Sequence, residues 1–186
     1  MRNVGRIQGF TLIEILVVVF IIGLAASLIS LSIGDDKTDS APYQAARSLL
    51  QTIDFVSEYS ALNGEVIAMF VTQKESDDAL KKRWCYSWKR LRDNYWGNLP
   101  DDMLTEHCLP DSVLWELQIE GRIYVYDPDL EIQPPVLMFS PSGEATPVEM
   151  ALFESASSDG AQHIEIDMMG NSHWLEEDKA ELRDGQ

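Results

Sequence analysis

Five groups of residues in this chain have the types and spacing that chemistry needs. Glu14 is the one charge among the 24 residues from Phe10 to Ile33. A carboxylate at membrane depth costs roughly 2.5–3.5 kcal/mol on insertion scales, so it calls for a cationic partner or a place near the headgroups. Cys85 and Cys108 are the only cysteines. Their spacing is too wide for Cys-x-x-Cys redox chemistry and leaves open a structural bridge or two separate thiols. Lys81 to Arg92 interleaves six cations with Trp84, Tyr86 and Trp88, the residue types of a platform for single-stranded nucleic acid. His163, Glu165 and Asp167 alternate with Ile164, Ile166 and Met168, so they share a strand face, and with His173 nearby a metal site is conceivable. Asp127, Asp129 and Glu131 have the oxygen-ligand spacing of a calcium loop, but Ile132 stands where an EF-hand requires glycine.

Composition weakens several of these readings. The 186 residues carry 14 Lys+Arg against 31 Asp+Glu, a formal net charge of −17, with 45% hydrophobic and 24% charged residues. That is a globular composition for one domain plus an appendage, and it excludes collagen-like, low-complexity and wholly disordered chains. Six of the 14 basic residues fall in the single stretch Lys81 to Arg92, leaving the rest strongly acidic. Such a surface repels phosphate backbones, which disfavours nucleic acid as a partner. As a strand, Trp84, Tyr86 and Trp88 equally read as a face packed on a core, with Glu75, Asp77, Asp78, Asp101 and Asp102 near enough in sequence to neutralise the cations. A solvated polar face explains His163, Glu165 and Asp167 without a metal. No Ser/His/Asp set, phosphate loop or paired-acid motif stands out, so the expectation is no enzymatic activity, no cofactor and no metal.

The elements that position these groups fall into two unlike parts. As a helix, Phe10 to Ile33 covers roughly 36 Å at ~1.5 Å per residue, enough for a hydrocarbon core of about 30 Å. Arg2 and Arg6 precede it, and Asp35, Asp36 and Asp39 come after it. The positive-inside bias then puts the N-terminus in the cytoplasm and everything after Ile33 across the membrane. Gly23-Leu24-Ala25 and Ala25-Ala26-Ser27 resemble signal-peptidase sites, but the apolar run continues through Leu28, Ile29, Leu31 and Ile33. The segment therefore reads as a retained anchor. An oxidising compartment beyond it favours a Cys85–Cys108 bridge.

Past a polar linker, Ser40 can cap a helix with Pro42 in its first turn. Apolar residues recur at Ala45, Ala46, Leu49, Leu50, Ile53, Val56 and Leu62, with Tyr59 between, and Asn63-Gly64 is a stop signal. This predicts one amphipathic helix. The chain beyond Gly64 reads as β: a buried strand at Val66 to Thr72, and an alternating one at Trp115, Leu117 and Ile119. Gly121 turns into a strand at Ile123 to Tyr126. Val136 to Ser140 and Val148 to Phe153 flank the Pro141-Ser142-Gly143-Glu144 turn, and His163 to Met168 and Ser172 to Leu175 flank Gly170-Asn171. The acidic tail from Glu176 to Gln186 is expected to fray. The predicted class is α+β, a helix packed on antiparallel sheet.

Two motifs carry a resemblance. Gly9-Phe10-Thr11-Leu12-Ile13-Glu14, between a short basic leader and an apolar helix, resembles the class III signal of type IV pilins and type II secretion pseudopilins. The resemblance implies that prepilin peptidase cuts between Gly9 and Phe10 and methylates the new Phe10 amine. It also implies that Glu14 meets the Phe10 amine of a neighbouring subunit and sets the axial register of a helical bundle. The stretch Pro135-Val136-Leu137-Met138-Phe139-Ser140-Pro141-Ser142-Gly143-Glu144-Ala145-Thr146-Pro147 is similar to the hairpin of the GspH/FimT group. Lys74 to Pro110 matches no motif and reads as an insert. The resemblance thus implies a type IV pilin-like fold. Its parts are a leader (1–9), a transmembrane assembly helix (10–34), a linker and periplasmic amphipathic helix (35–64), a β-rich domain (65–175) and an acidic tail (176–186). The implied role is a minor pseudopilin of type II secretion, spanning the inner membrane once with its C-terminal domain in the periplasm. Implied partners are the major pseudopilin and minor tip subunits, prepilin peptidase, the inner-membrane assembly platform and the lipid bilayer. A FimT-like pilus subunit active in pilus assembly or DNA uptake is the alternative.

Overall fold

A computed structural model describes residues 13–22, 40–76, 82–99, 104–155 and 157–184. The chain divides into two compact units, 1–36 and 37–186.

In the first unit, residues 13–22 form helix α1. Its apolar side chains are exposed all round, with Ile13, Val19, Phe20 and Ile22 each more than half accessible. A helix apolar on every face is one that needs an apolar solvent or packed neighbours. Among the described residues no helix is long and apolar enough to cross a membrane. The rest of the expected span, with Gly9 and Phe10, lies outside the described residues.

The second unit begins with helix α2, Ala41–Asn63. Ser40 is its N-cap, accepting a hydrogen bond from the Tyr43 N–H, with Pro42 in the first turn where it removes no helical bond. Gly64 ends it at φ 65°, a left-handed conformation that suits glycine. Ala45, Ala46, Leu49, Ile53 and Val56 are buried as the spacing predicts, and Ser60 joins them, donating to the Glu65 carbonyl at 2.7 Å. Leu62 departs from the expected stripe and is 85% exposed, because the last turn carries it around from the buried face.

Among the described residues ten strands come next: β1 (Val66–Glu75), β2 (Lys82–Arg92), β3 (Tyr95–Asn98), β4 (His107–Cys108), β5 (Val113–Ile119), β6 (Arg122–Ile123), β7 (Leu137–Phe139), β8 (Val148–Glu154), β9 (Ser157–Ile166) and β10 (Ser172–Trp174), then helix α3 (Leu175–Asp184). They form two antiparallel sheets, β3-β2-β1-β7 with β4 on β2, and β10-β9-β8-β5-β6. The inner faces of both sheets and the buried stripe of α2 share one core. Met69, Trp88, Leu117, Phe139, Met150 and Ile164 are all wholly or nearly enclosed there.

The strands on either side of the Pro141–Glu144 turn enter different sheets: β7 pairs β1 in the first, whereas β8 lies between β5 and β9 in the second. Within the motif a short hairpin closes, with a Phe139–Ala145 bridge, Ser140 N–H donating to the Glu144 carbonyl at 2.8 Å and Thr146 N–H to the Met138 carbonyl at 3.0 Å. Three expectations are corrected. The strand expected over Ile123 to Tyr126 is instead the short Arg122–Ile123, with one further bond in the same register, from Tyr124 N–H to the Leu117 carbonyl at 2.8 Å. The expected frayed tail is helix α3 through Asp184, whose first-turn Glu176, Glu177 and Asp178 suit the positive helix end. The unmatched insert, Lys74 to Pro110, supplies β2, which pairs with β1 along ten residues and is integral to the first sheet.

Candidate functional site

The residues singled out by type separate into one on helix α1, those that hold the fold and those that are merely solvated. Glu14 lies on α1, exposed among exposed apolar neighbours.

Cys85 and Cys108 are bonded to each other. They stand directly opposite on β2 and β4, a pairing only two residues long. The Leu109 N–H adds a bond to the Trp84 carbonyl at 2.8 Å, so bridge and ladder together bring Leu104 and Leu109 into the core.

The cation–aromatic stretch is turned inward. Tyr86 and Trp88 are each 2% exposed, and the half-buried Trp84 meets Tyr126 edge-on at 5.8 Å. Glu65 takes both Arg90, at 3.3 Å, and Arg92, while Lys74 pairs with Glu106. Lys89 sits over the Phe70 ring, 4.8 Å from its centre. Base stacking needs free ring faces, and Tyr86 and Trp88 have none.

His173 stands directly opposite Glu165 in the β9–β10 ladder, on the face that His163 and Asp167 share, but His163, Asp167 and His173 turn to other partners. Glu176 receives the His163 backbone N–H at 2.7 Å and lies 2.8 Å from His163 Nδ1, so this carboxylate pins the start of α3 to β9. His173 instead faces Asp178 at 3.9 Å. Asp167 accepts from the Met169 and Asn171 backbone N–H groups and from the Asn171 amide, which hold its carboxyl below the usual range. Asp127 likewise closes a local turn, accepting from Asp129 N–H at 3.0 Å. Among the described residues no group of three or more His, Cys, Asp or Glu is placed to hold a metal.

The Pro135 to Pro147 motif has a structural explanation. Gly143 N–H donates to the Ser140 carbonyl at 3.0 Å, and Ala145 N–H donates to the Met168 carbonyl at 3.1 Å. Gly143 at φ 91° and Gly170 at φ 76° both need left-handed backbone. A Cβ on Gly170 would lie 2.5 Å from the Gly143 carbonyl oxygen. The motif turn is therefore locked onto the last hairpin, joining the two sheets at one end. Sequence reasoning missed the other lock. Tyr43 on α2 donates to Glu177 on α3 at 2.8 Å, beside a Tyr43–Trp174 ring pair 4.8 Å apart, and that hydrogen bond raises the Tyr43 pKa.

Residues 5–30 match the prokaryotic N-terminal methylation motif. Type II secretion system protein H of Aeromonas hydrophila is 28% identical over 157 residues, covering 79% of this chain and 81% of its own. Its counterpart of the same name in Dickeya chrysanthemi is 25% identical over 177 residues, covering 90% and 94%. Along most of its length the chain is thus similar to proteins named type II secretion system protein H. The similarity does not rest on the N-terminal motif alone, since the aligned length runs far into the body. In fold it is similar to the minor pseudopilin EpsH of Vibrio cholerae, with a TM-score of 0.55 at 16% identity over 73% of this chain and 97% of that one. The helix-plus-two-sheet body of this chain is thus pilin-like in fold.

Proposed function

We propose that this chain is a structural subunit of the type II secretion pseudopilus, the short filament that helps move folded proteins across the outer membrane. The observation that carries the reading is the match to proteins named type II secretion system protein H along most of both chains. Its role is assembly rather than catalysis, and its partners are other pseudopilins. Prepilin peptidase would cut between Gly9 and Phe10 and methylate Phe10, the assembly platform would receive the processed subunit, and the inner membrane would hold the helix 10–34 with the body in the periplasm.

Charge supports a docking role for Glu14. Cleavage creates a cationic amine at Phe10, and a carboxylate in an apolar setting is favoured where a cation neutralises it. Partnering the amine of the next subunit fixes the axial offset between helices. The inward-turned Tyr86 and Trp88 weigh against the FimT-like DNA-uptake alternative. Intact mass of the chain extracted from host membranes tests processing. The expected mass begins at N-methylated Phe10. A mass retaining residues 1–9, or beginning near Ala26, would contradict the reading.

A further inference from the structure

The outer face of the second sheet carries a trough that neither the fold nor the processing chemistry uses. It begins as a depression of about 310 Å³ over β5, β8 and β9, walled by Ile123, Tyr124 and Leu175. Glu149 and Glu165 are shared with a second depression of about 360 Å³. Pro147 and Met168 lead from there into a third, about 820 Å³, at the end where the two sheets are joined. The far end is apolar. At the far end Met138, Met168 and Met169 are 39%, 68% and 72% exposed. Unbranched thioether side chains of this kind adapt to varied partners.

The middle is acidic in an unusual way. Glu149 and Glu165 are direct cross-strand partners in the β8–β9 ladder. Like charges opposite each other destabilise a sheet. Glu116 lies on the same exposed face. Among the described residues, Glu116, Glu149 and Glu165 form no ion pair. The cross-strand neighbour of Glu165 on its other side is His173, which faces Asp178, so no Lys or Arg relieves the pair among the described residues.

Resting on the assembly reading above, we propose that this trough receives a segment of a neighbouring pilin-like subunit that presents Lys or Arg between apolar side chains. The cations would sit on the Glu149–Glu165 pair and the apolar side chains would fill the methionine end. A second copy of this chain fits poorly. It carries a formal charge of −17, and Lys74, Arg90 and Arg92 are already engaged with Glu106 and Glu65. Charge complementarity therefore points to a different, more basic subunit.

The test uses the full chain in its host, with a photo-crosslinking amino acid at Ala151 or Met169, and compares native Glu149 and Glu165 with the Glu149→Gln, Glu165→Gln pair. The expected result is a crosslink to a pilin-like subunit, mapped to a segment bearing Lys or Arg, whose yield falls about tenfold in the double variant. The double variant should also melt no lower than the native chain, because removing two opposed charges relieves repulsion. A folding defect would lower both readouts together. No crosslink, a crosslink only to a second copy or to a secreted protein, or an unchanged yield in the Gln pair would overturn the proposal. Deleting the whole gene separates the two claims. If secretion survives deletion, the assembly reading falls. If secretion needs the chain but the Gln pair secretes and crosslinks normally, only the docking surface falls.

Discussion

Breaking the Cys85–Cys108 bridge should remove a large share of the body's stability. The two positions are 23 apart, so the bridge closes a loop of 24 residues in the unfolded chain. The chain-entropy relation for that loop gives about 3.4 kcal/mol at 25 °C. Domains of this size are stable by only about 5–15 kcal/mol, so this is a decisive fraction. The native contacts that would otherwise keep the segment in place are few. The β2–β4 pairing covers two residues, and one further backbone bond joins Leu109 to Trp84. The entropy of unfolding for roughly 145 residues scales to about 0.3 kcal/mol/K, so the melting midpoint should fall by about 11 °C. All five tryptophans lie in the body, at 84, 88, 96, 115 and 174. Tryptophan fluorescence of the full chain in detergent therefore reports on the body alone during urea or thermal unfolding. Reduction of the native chain isolates the loop term. The Cys85→Ala, Cys108→Ala variant should lose about 1 kcal/mol more, since the Cys85 side chain is wholly buried and leaves a small void. A loss below about 1 kcal/mol on full reduction, verified by thiol alkylation, would refute the reasoning.

Other expectations rest on single contacts. Gly170→Ala should cost more than 2 kcal/mol, combining left-handed strain with the clash against the Gly143 carbonyl, whereas Gly121→Ala, at φ 74° in open space, should cost only about 1 kcal/mol; chemical denaturation of both separates the terms. Trp88→Ala should cost about 3–5 kcal/mol, but Trp88→Phe much less, because the buried indole N–H has no partner to lose. Burial pushes the Tyr86 hydroxyl up to about 12, above its ordinary 10, so its neutral form stabilises the fold fully below pH 10 and that contribution is lost as pH rises toward 12. Melting curves across that window should fall less steeply for Tyr86→Phe than for the native chain. Glu176→Gln should loosen α3 from β9, read as faster amide exchange at His163, whose N–H the carboxylate receives.

The fold was legible where one period dominated. The α2 stripe from Ala45 to Val56, its Ser40 and Gly64 ends, and the alternation in β5 are all set by local spacing. The Gly170-Asn171 hairpin was equally readable, because a turn signal there joins strands that do pair. The Pro141–Glu144 turn carries the same local signal, yet its flanking strands enter different sheets; only the long-range pairing of β7 with β1 decides that. The middle segment was opaque for a related reason. Trp84, Tyr86 and Trp88 alternate as any half-buried strand does, and nothing local says that β1 waits as a partner on one side and β3 and β4 on the other. In the candidate site, the Gly-Phe junction and Glu14 are a sequence motif and could be read directly. The trough could not, because Glu116, Glu149, Glu165 and Met168 come from three strands and a turn, and only the folded register brings them into line. The helical tail was missed because Glu176 and Glu177 look like solvated charge until His163 and Tyr43 are placed beside them.

The most direct test of the central claim is where secreted hydrolases accumulate when this gene is deleted and then restored. The account predicts folded enzymes trapped in the periplasm, with export recovered by the native chain and not by Glu14→Lys, while twitching and DNA uptake stay normal. Normal export on deletion, with twitching or DNA uptake lost instead, would contradict it.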